Sequence, residues 1–300
     1  MTRKYALYQV DSFTTELFRG NPAGVVLDAQ GLGDVEMQAV AREMNNSETA
    51  FILPPEGPDH EVRVRFFTPT VEVPSCGHAT IAAHYVRALA MGLSDCRVVQ
   101  KIGAGVLPVD IEGGGESMRV VMTQGAVDIS PDLDQAHQSR ILEALGVPQK
   151  DHDPALPMRI SSTGHSKVMV SLRQEELLHE LAPDMAALTA ISRDIGCNGY
   201  YAFVLSPDTD PAVHGRMFAP AIGIGEDPVT GNANGPLGAY LADLGYGPRD
   251  GEFRFRAVQG EAMGRKGEIL VKVAIEGGRP HHVTVSGQAV IVFKAEMVLP

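Results

Sequence analysis

Pro74-Ser75-Cys76-Gly77-His78-Ala79-Thr80 and Asp227-Pro228-Val229-Thr230-Gly231-Asn232-Ala233-Asn234-Gly235-Pro236 decide how this chain is read. Each leads into a segment that is apolar almost all round. The first runs from Ala79 to Ala90, with Gly92 just past its end. The second runs from Leu237 to Leu244, with Pro236 in its first turn and Gly245 after it. A helix apolar on every side is a buried helix, and a glycine past the last residue is a common helix stop.

Other matches flank this pair in the same order. Ser47-Glu48-Thr49-Ala50-Phe51-Ile52-Leu53 answers Gly199-Tyr200-Tyr201-Ala202-Phe203-Val204-Leu205, with the phenylalanines 152 residues apart. Phe67-Thr68-Pro69 answers Phe218-Ala219-Pro220 at 151, Cys76-Gly77 answers Thr230-Gly231 at 154, and Val99-Gln100 answers Val258-Gln259 at 159. Preserved order with a slowly drifting offset is the mark of an internal duplication with loop insertions. The chain therefore reads as two copies of one α+β unit, the first ending near residue 124. Asp128-Ile129-Ser130-Pro131-Asp132, polar and proline-containing, reads as the linker.

Within each copy the pattern is rich in strands. Tyr5 to Val10, Val62 to Phe66, Ile269 to Val273 and Val283 to Val285 alternate with period two. Val35 to Asn45 sets Met37, Val40, Ala41 and Met44 on one helical face. Strands curled around one buried helix per copy satisfy the whole pattern.

Composition narrows the function. In 300 residues, 25 Lys+Arg stand against 37 Asp+Glu, a net charge of −12 that disfavours nucleic acid and anionic membrane as partners. No stretch approaches the ~20 apolar residues of a membrane helix, and the start lacks the apolar core of a signal peptide. Three scattered cysteines, Cys76, Cys96 and Cys197, make neither a disulfide framework nor a zinc site. A cytoplasmic enzyme is the expectation. There is no HExxH, no CxxC pair, no Walker loop and no dinucleotide fingerprint, so the reading expects no metal and no cofactor.

A helix N-terminus is a ready anion site, and glycine there lets a ligand approach the backbone. Two such entrances suggest a small carboxylate held in an interdomain cleft. The plainer alternative is a pair of turns before core helices. Glu48 sits where a polar patch runs into an apolar strand. It reads most plainly as a solvent-facing carboxylate, and alternatively as a general acid/base tuned by partial desolvation. His78 is either a capping or core histidine or a site residue. Asp227 is either a turn acid or a ligand-binding group. Cys76 is either a small buried hydrophobe or a thiol activated by the helix N-terminus. His165, in a loop leading into a strand, matches the order of Gly20-Asn21-Pro22-Ala23-Gly24. His60, His152, His179, His281 and His282 read as loop or surface histidines.

These residues carry a resemblance. Val10-Asp11-Ser12-Phe13, Phe18 to Val26, Ser47-Glu48-Thr49-Ala50-Phe51, Phe67-Thr68-Pro69, Cys76 to Thr80, Glu226 to Pro236 and Val285-Ser286-Gly287 resemble the PhzF-like family, and closely its YddE branch. The resemblance spans nearly the whole chain. It implies a diaminopimelate-epimerase-like fold: two duplicated domains, each a barrel-like β-sheet around a central buried helix. In that fold the last strand returns to the first domain, which implies residues 1–124 plus 285–300 for one domain and 125–284 for the other. It implies a cofactor-independent biosynthetic isomerase, a homodimer, with Glu48 carrying a proton and His78 and Asp227 binding or polarising the substrate. Cys76, Gly77, Thr230, Gly231 and Asn232 are the implied substrate-binding positions.

Two departures matter: Asn232 stands where the PhzF enzyme has serine after the second glycine, and Cys76 stands where it has alanine before Gly-His. The related cofactor-independent racemases place a cysteine before each glycine, whereas the matching positions here are Cys76 and Thr230. A threonine is far too weak an acid to act as a second thiol. The leading expectation is a proton shift on a small amino- or hydroxy-carboxylate with Glu48 as general acid/base. The alternatives are a Cys76-dependent epimerase or dehydratase of a cyclic amino acid, and a small-carboxylate-binding protein without activity.

Overall fold

The computed structural model describes residues 2–300, so Met1, included in the expected first domain, lies outside the described residues. The chain divides into two compact units: residues up to Thr123 together with Ser286–Pro300, and Gln124–Val285.

The first unit contains β1 (Arg3–Ser12), β2 (Asn21–Val26), α1 (Asp34–Met44), β3 (Thr49–Leu53), β4 (Val62–Phe67), β5 (Glu72–Val73), α2 (Gly77–Met91), β6 (Cys96–Ile102), β7 (Gly105–Glu112) and β8 (Arg119–Thr123). The second contains β9 (Asp128–Asp132), α3 (Gln135–Leu145), β10 (Arg159–Ser162), β11 (Lys167–Leu172), α4 (Glu175–Glu180), α5 (Met185–Ile195), β12 (Tyr200–Leu205), β13 (Val213–Ala219), β14 (Ile224–Asp227), α6 (Gly231–Asp243), β15 (Gly251–Gln259), β16 (Gly267–Glu276) and β17 (Arg279–Gly287), whose end crosses the boundary. The chain then closes the first unit with β18 (Ala289–Leu299).

The strand pairings repeat. In the first unit β1–β2 is antiparallel, β2–β3 parallel, β3–β4 and β4–β5 antiparallel, β4–β6 parallel and β6–β7 antiparallel. In the second, β10–β11, β11–β12, β12–β13, β13–β14, β13–β15 and β15–β16 follow the same sequence of senses. The parallel pairs force a crossover, and helices supply it. α1 buries Met37, Val40 and Ala41 against Phe51 and Phe67. In the second unit α3 and α5 bury Ile141, Leu145, Leu188 and Ile191 against Val168, Val170, Tyr200 and Ala202.

Each unit has one helix packed among strands. α2 packs on β1, β2, β3, β4, β8 and β18, and α6 on β10, β11, β15 and β16. α2 ends where expected, at Gly92 with φ 65°. α6 corrects an expectation. It begins at Gly231, not Leu237, and Pro236 lies inside it. As the sixth residue of the helix, Pro236 lies past the four N–H groups that are free in any case, so it removes one intrahelical hydrogen bond. The Pro236 carbonyl accepts from Ser161 Oγ at 2.8 Å.

Three further readings are corrected. Asp128–Asp132 is not a linker but strand β9, paired antiparallel to β10 with an irregularity where Pro131 removes a donor. The phenylalanine match of Phe51 to Phe203 is one residue out. Thr49 pairs with Phe67 and Tyr200 with Phe218, so Phe51 corresponds to Ala202 and the strands share the 151 offset of Phe67 and Phe218. A one-residue slip matters because it turns every side chain to the other face. His60 and His152, read as loop or surface residues, are buried.

The corrected register exposes a repeated device. Arg65 lies 5.0 Å over the Phe67 ring and makes a two-pronged pair with Glu72, both contacts 2.7 Å. Arg216 lies 5.0 Å over Phe218 and pairs likewise with Glu226, both contacts 2.8 Å. Arg65 and Arg216 hold the same position on β4 and β13.

Candidate active site

The candidate residues form two groups, one in each unit. In the first unit, Asn45 ends α1 in a left-handed turn at φ 51°, and the chain swings through Ser47 and Glu48 into β3. The Glu48 carbonyl accepts from Gly24 N at 3.2 Å, which fixes the backbone where the carboxylate leaves it. Cys76 is the N-cap of α2, and Gly77 and His78 form its first turn. Ser12 Oγ donates to the His78 carbonyl at 2.8 Å, and Thr80 Oγ1 donates to the Cys76 carbonyl at 2.7 Å. The helix start is thus pinned from β1 and from its own second turn.

The imidazole of His78 lies between a carboxylate and a thiol. Its Nε2 is 3.3 Å from Glu48 Oε2 and 3.2 Å from Ser47 Oγ, and its Nδ1 is 3.5 Å from Cys76 Sγ. When Nε2 carries the proton it donates to Glu48, and Nδ1 then accepts from the thiol. His78 and Cys76 are buried, and the Glu48 side chain is 16% exposed. Gly77 has room for a methyl group, the nearest atom being Met122 Cε at 3.5 Å, so packing alone does not require glycine there. What its lack of a side chain leaves is close access to the helix N–H groups.

Glu48, Cys76 and His78 each present a ligand atom within 4.8 Å of the others, the one such trio among the described residues. Carboxylate, thiol and imidazole are donors a divalent ion accepts, although the positive end of α2 opposes a cation there.

In the second unit Asp227 ends β14, and Thr230 is the N-cap of α6, followed by Gly231 and Asn232. The Thr230 hydroxyl donates to Asp227 Oδ2 and accepts from Gln259 Nε2, the latter at 3.0 Å. Gln259 also donates to the Asp227 carbonyl at 2.8 Å and accepts from Thr230 N at 3.1 Å and Asn234 Nδ2 at 3.0 Å. Tyr201 Oη closes the network on Asn234 Oδ1 at 2.8 Å. Desolvation pushes the Tyr201 phenol well up, so it stays a neutral donor. Gln259 was visible in the sequence only as part of the repeat, and its position as the hub of this network was not. The half-buried Asn232 amide makes no hydrogen bond among the described residues.

The register makes the two groups comparable. Glu48 corresponds to Gly199, since Gly24 N bonds the carbonyl of one and Val168 N that of the other. Val73 corresponds to Asp227, because both sit opposite matching residues, Phe66 and Met217. Cys76 and His78 correspond to Thr230 and Asn232. The duplicated frame therefore carries unlike chemistry: carboxylate, thiol and imidazole in one copy, and carboxylate, hydroxyl and amide at other places in the second.

The phenazine biosynthesis-like (PhzC-PhzF) family model matches residues 10–295. The chain belongs to that family. Among curated relatives, an isomerase of Clostridium acetobutylicum is 52% identical over 100% of both chains, and the isomerase YddE of Escherichia coli K12 is 49% identical over 99% of both. This PhzF-like chain is an isomerase of the YddE branch. A Bacillus anthracis protein of the PhzF family superposes with a TM-score of 0.88 at 29% identity, covering 99% of this chain and 100% of that one. The α+β fold is diaminopimelate-epimerase-like.

Proposed function

We propose that this PhzF-like isomerase moves a proton on a small amino- or hydroxy-carboxylate without a cofactor, with Glu48 as general acid and base. The supporting observation is the unlikeness of the two copies. A two-base racemase needs matched proton carriers, but the counterpart of Glu48 is Gly199 and the counterpart of Cys76 is Thr230, whose hydroxyl is already given to Asp227. One carboxylate then does both transfers. It takes the proton from a C–H, the electron pair passes into the substrate's conjugated system, and the same carboxyl returns the proton at another carbon. His78 orients Glu48 through Nε2. In the first unit the N–H groups opened by Gly77 stabilise the developing charge; in the second, the N–H groups opened by Gly231 form, with Asp227 and Asn232, a polar ligand-binding group of their own. A cytoplasmic setting and a homodimer belong to the same reading.

A second reading rests on the 3.5 Å contact between Cys76 Sγ and His78 Nδ1: a thiol-based epimerase or dehydratase of a cyclic amino acid. One experiment separates them. Protein in D2O is given dihydro-hydroxyanthranilate and a panel of proline, hydroxyproline and diaminopimelate stereoisomers, and exchange is followed by NMR. Exchange lost in Glu48→Gln and kept in Cys76→Ala supports the carboxylate. The reverse pattern supports the thiol.

A further inference from the structure

Lys167 opens β11 and is 3% exposed, a depth at which lysine is rare unless paired. Its place in the frame is set by register. Gly24 faces Thr49 and Val168 faces Tyr200 across matching parallel pairs, so Lys167 corresponds to Ala23, a fully buried alanine. The fold therefore accepts a methyl group at this position, and the second copy buries an ammonium there instead.

That ammonium has three N–H donors. One goes to the Ser166 carbonyl at 3.1 Å, and among the described residues the ammonium makes no other hydrogen bond. The ionisable groups around it are known. Cys197 precedes β12, its thiol donating to the Gly199 carbonyl at 3.3 Å, and Asp227 ends β14. His165 lies two residues before it and is held below the ordinary histidine range by burial and by Lys167. Burial pushes the Lys167 ammonium down to about 8, while Cys197 and Asp227 pull the other way. Strand β11, which Lys167 opens, packs against α6, whose Gly231 and Asn232 N–H groups and Asn232 amide make no hydrogen bond among the described residues and follow closely on Asp227 in the chain.

We propose that Lys167 is a specificity residue of the second unit: its ammonium takes a substrate carboxylate together with the start of α6, while Asp227 takes the neighbouring ammonium. A cation and an anion close enough to feel each other's charge are the complement of a zwitterion, so the substrate class is an amino acid rather than a hydroxy acid. This rests on the reading of the substrate as a small carboxylate.

The test uses the whole chain with lysine labelled at 13Cε, the Lys167 resonance being assigned from Lys167→Arg. The probes are acetate, glycine and acetamide. Acetate and glycine are expected to shift the Lys167 signal saturably and raise its proton affinity about tenfold, with the Gly231 and Asn232 amides moving in parallel, and acetamide is expected to do neither. Asp227→Asn is expected to weaken glycine about tenfold more than acetate. A Lys167 titration unmoved by both acetate and glycine overturns the proposal. Glu48→Gln separates the two readings: it removes deuterium exchange if Glu48 is the base, and it leaves the acetate effect on Lys167 in place. Acetate acting on Lys167 in a protein that shows no Glu48-dependent exchange supports this proposal and sinks the other.

Discussion

Glu48 and Gly199 stand at the same place in the two copies, and only Glu48 carries a side chain. The second copy is closed to one: a Cβ on Gly199 meets the Phe218 carbonyl oxygen at 2.5 Å, a backbone atom that cannot step aside. Gly199→Ala is expected to cost about 1–3 kcal/mol of stability by strain. Gly225→Ala, with nothing within 4 Å of the new carbon, serves as the control and stays within about 0.5 kcal/mol. Urea denaturation of both variants checks this, and equal stability would count against the register.

Glu48→Gln keeps the shape of the side chain and removes the base. Exchange is expected to fall about 10²–10⁴-fold. His78→Ala removes the donor that orients the carboxylate and is expected to lower kcat while leaving KM within about threefold. Steady-state kinetics on whichever panel compound exchanges reads both.

His84 gives a pH dependence that lies outside the candidate site. It is buried in α2 with Nε2 2.9 Å from Gln100 Oε1, and desolvation pushes it from 6.5 to about 4. The unfolded chain therefore takes up the proton first as pH falls. The His84 contribution is complete above pH 6.5 and is lost between there and about 4. The whole window is worth about 3 kcal/mol. Denaturation at pH 7 and at pH 4.5 should show most of this slope in the wild type and much less in His84→Gln.

The two arginine devices differ in depth. The Arg216 side chain is 9% exposed and its partner Glu226 17%, and Nη1 also donates to the carbonyls of Leu178, His179 and Leu181 at the C-terminal end of α4. Arg216→Met is expected to cost about 3–5 kcal/mol, since it strands a buried carboxylate and three carbonyls. Glu72, the partner of Arg65, is 42% exposed, so Glu72→Gln should cost less than about 1 kcal/mol. Thermal unfolding of the two variants should rank them clearly.

Gln259 holds Thr230, Asn234 and the Asp227 backbone at once. Gln259→Leu is expected to cost about 2 kcal/mol for the polar groups it leaves unmade. It should weaken substrate binding more than it lowers kcat, because Glu48 is untouched. Ligand affinity by NMR, set beside kcat, distinguishes this from a general loss of fold.

Much of this architecture could be read from residue order. Segments apolar on every side announce α2 and α6 as buried helices, and Cys76-Gly77 and Thr230-Gly231 announce their starts. Glu48, Cys76 and His78 were candidates on type and context, and the fold brings them within hydrogen-bonding reach. The misses have local causes. Pro236 looked like a first-turn residue because proline favours that place, yet α6 starts five residues earlier. Pro131 made β9 look like a linker because a short polar strand with one missing donor has the composition of a loop. Lys167 carries no signal of its own in the sequence, since lysine as a type points to the surface, and only the pairing of β11 with β12 shows where it lies.

The strand order also governs how the protein is made. β18 pairs with β1 from Arg3 opposite Leu299 to Ser12 opposite Ala289, while β9, which follows the first copy, pairs with β10 of the second. On a ribosome the second unit has all its strands once Val285 has emerged. In the first, β1 has been waiting since before the second copy was made, and its partner β18 is translated only after the whole of that copy. A chain stopped at Gln288 would keep every candidate residue and still leave β1 with one neighbour missing.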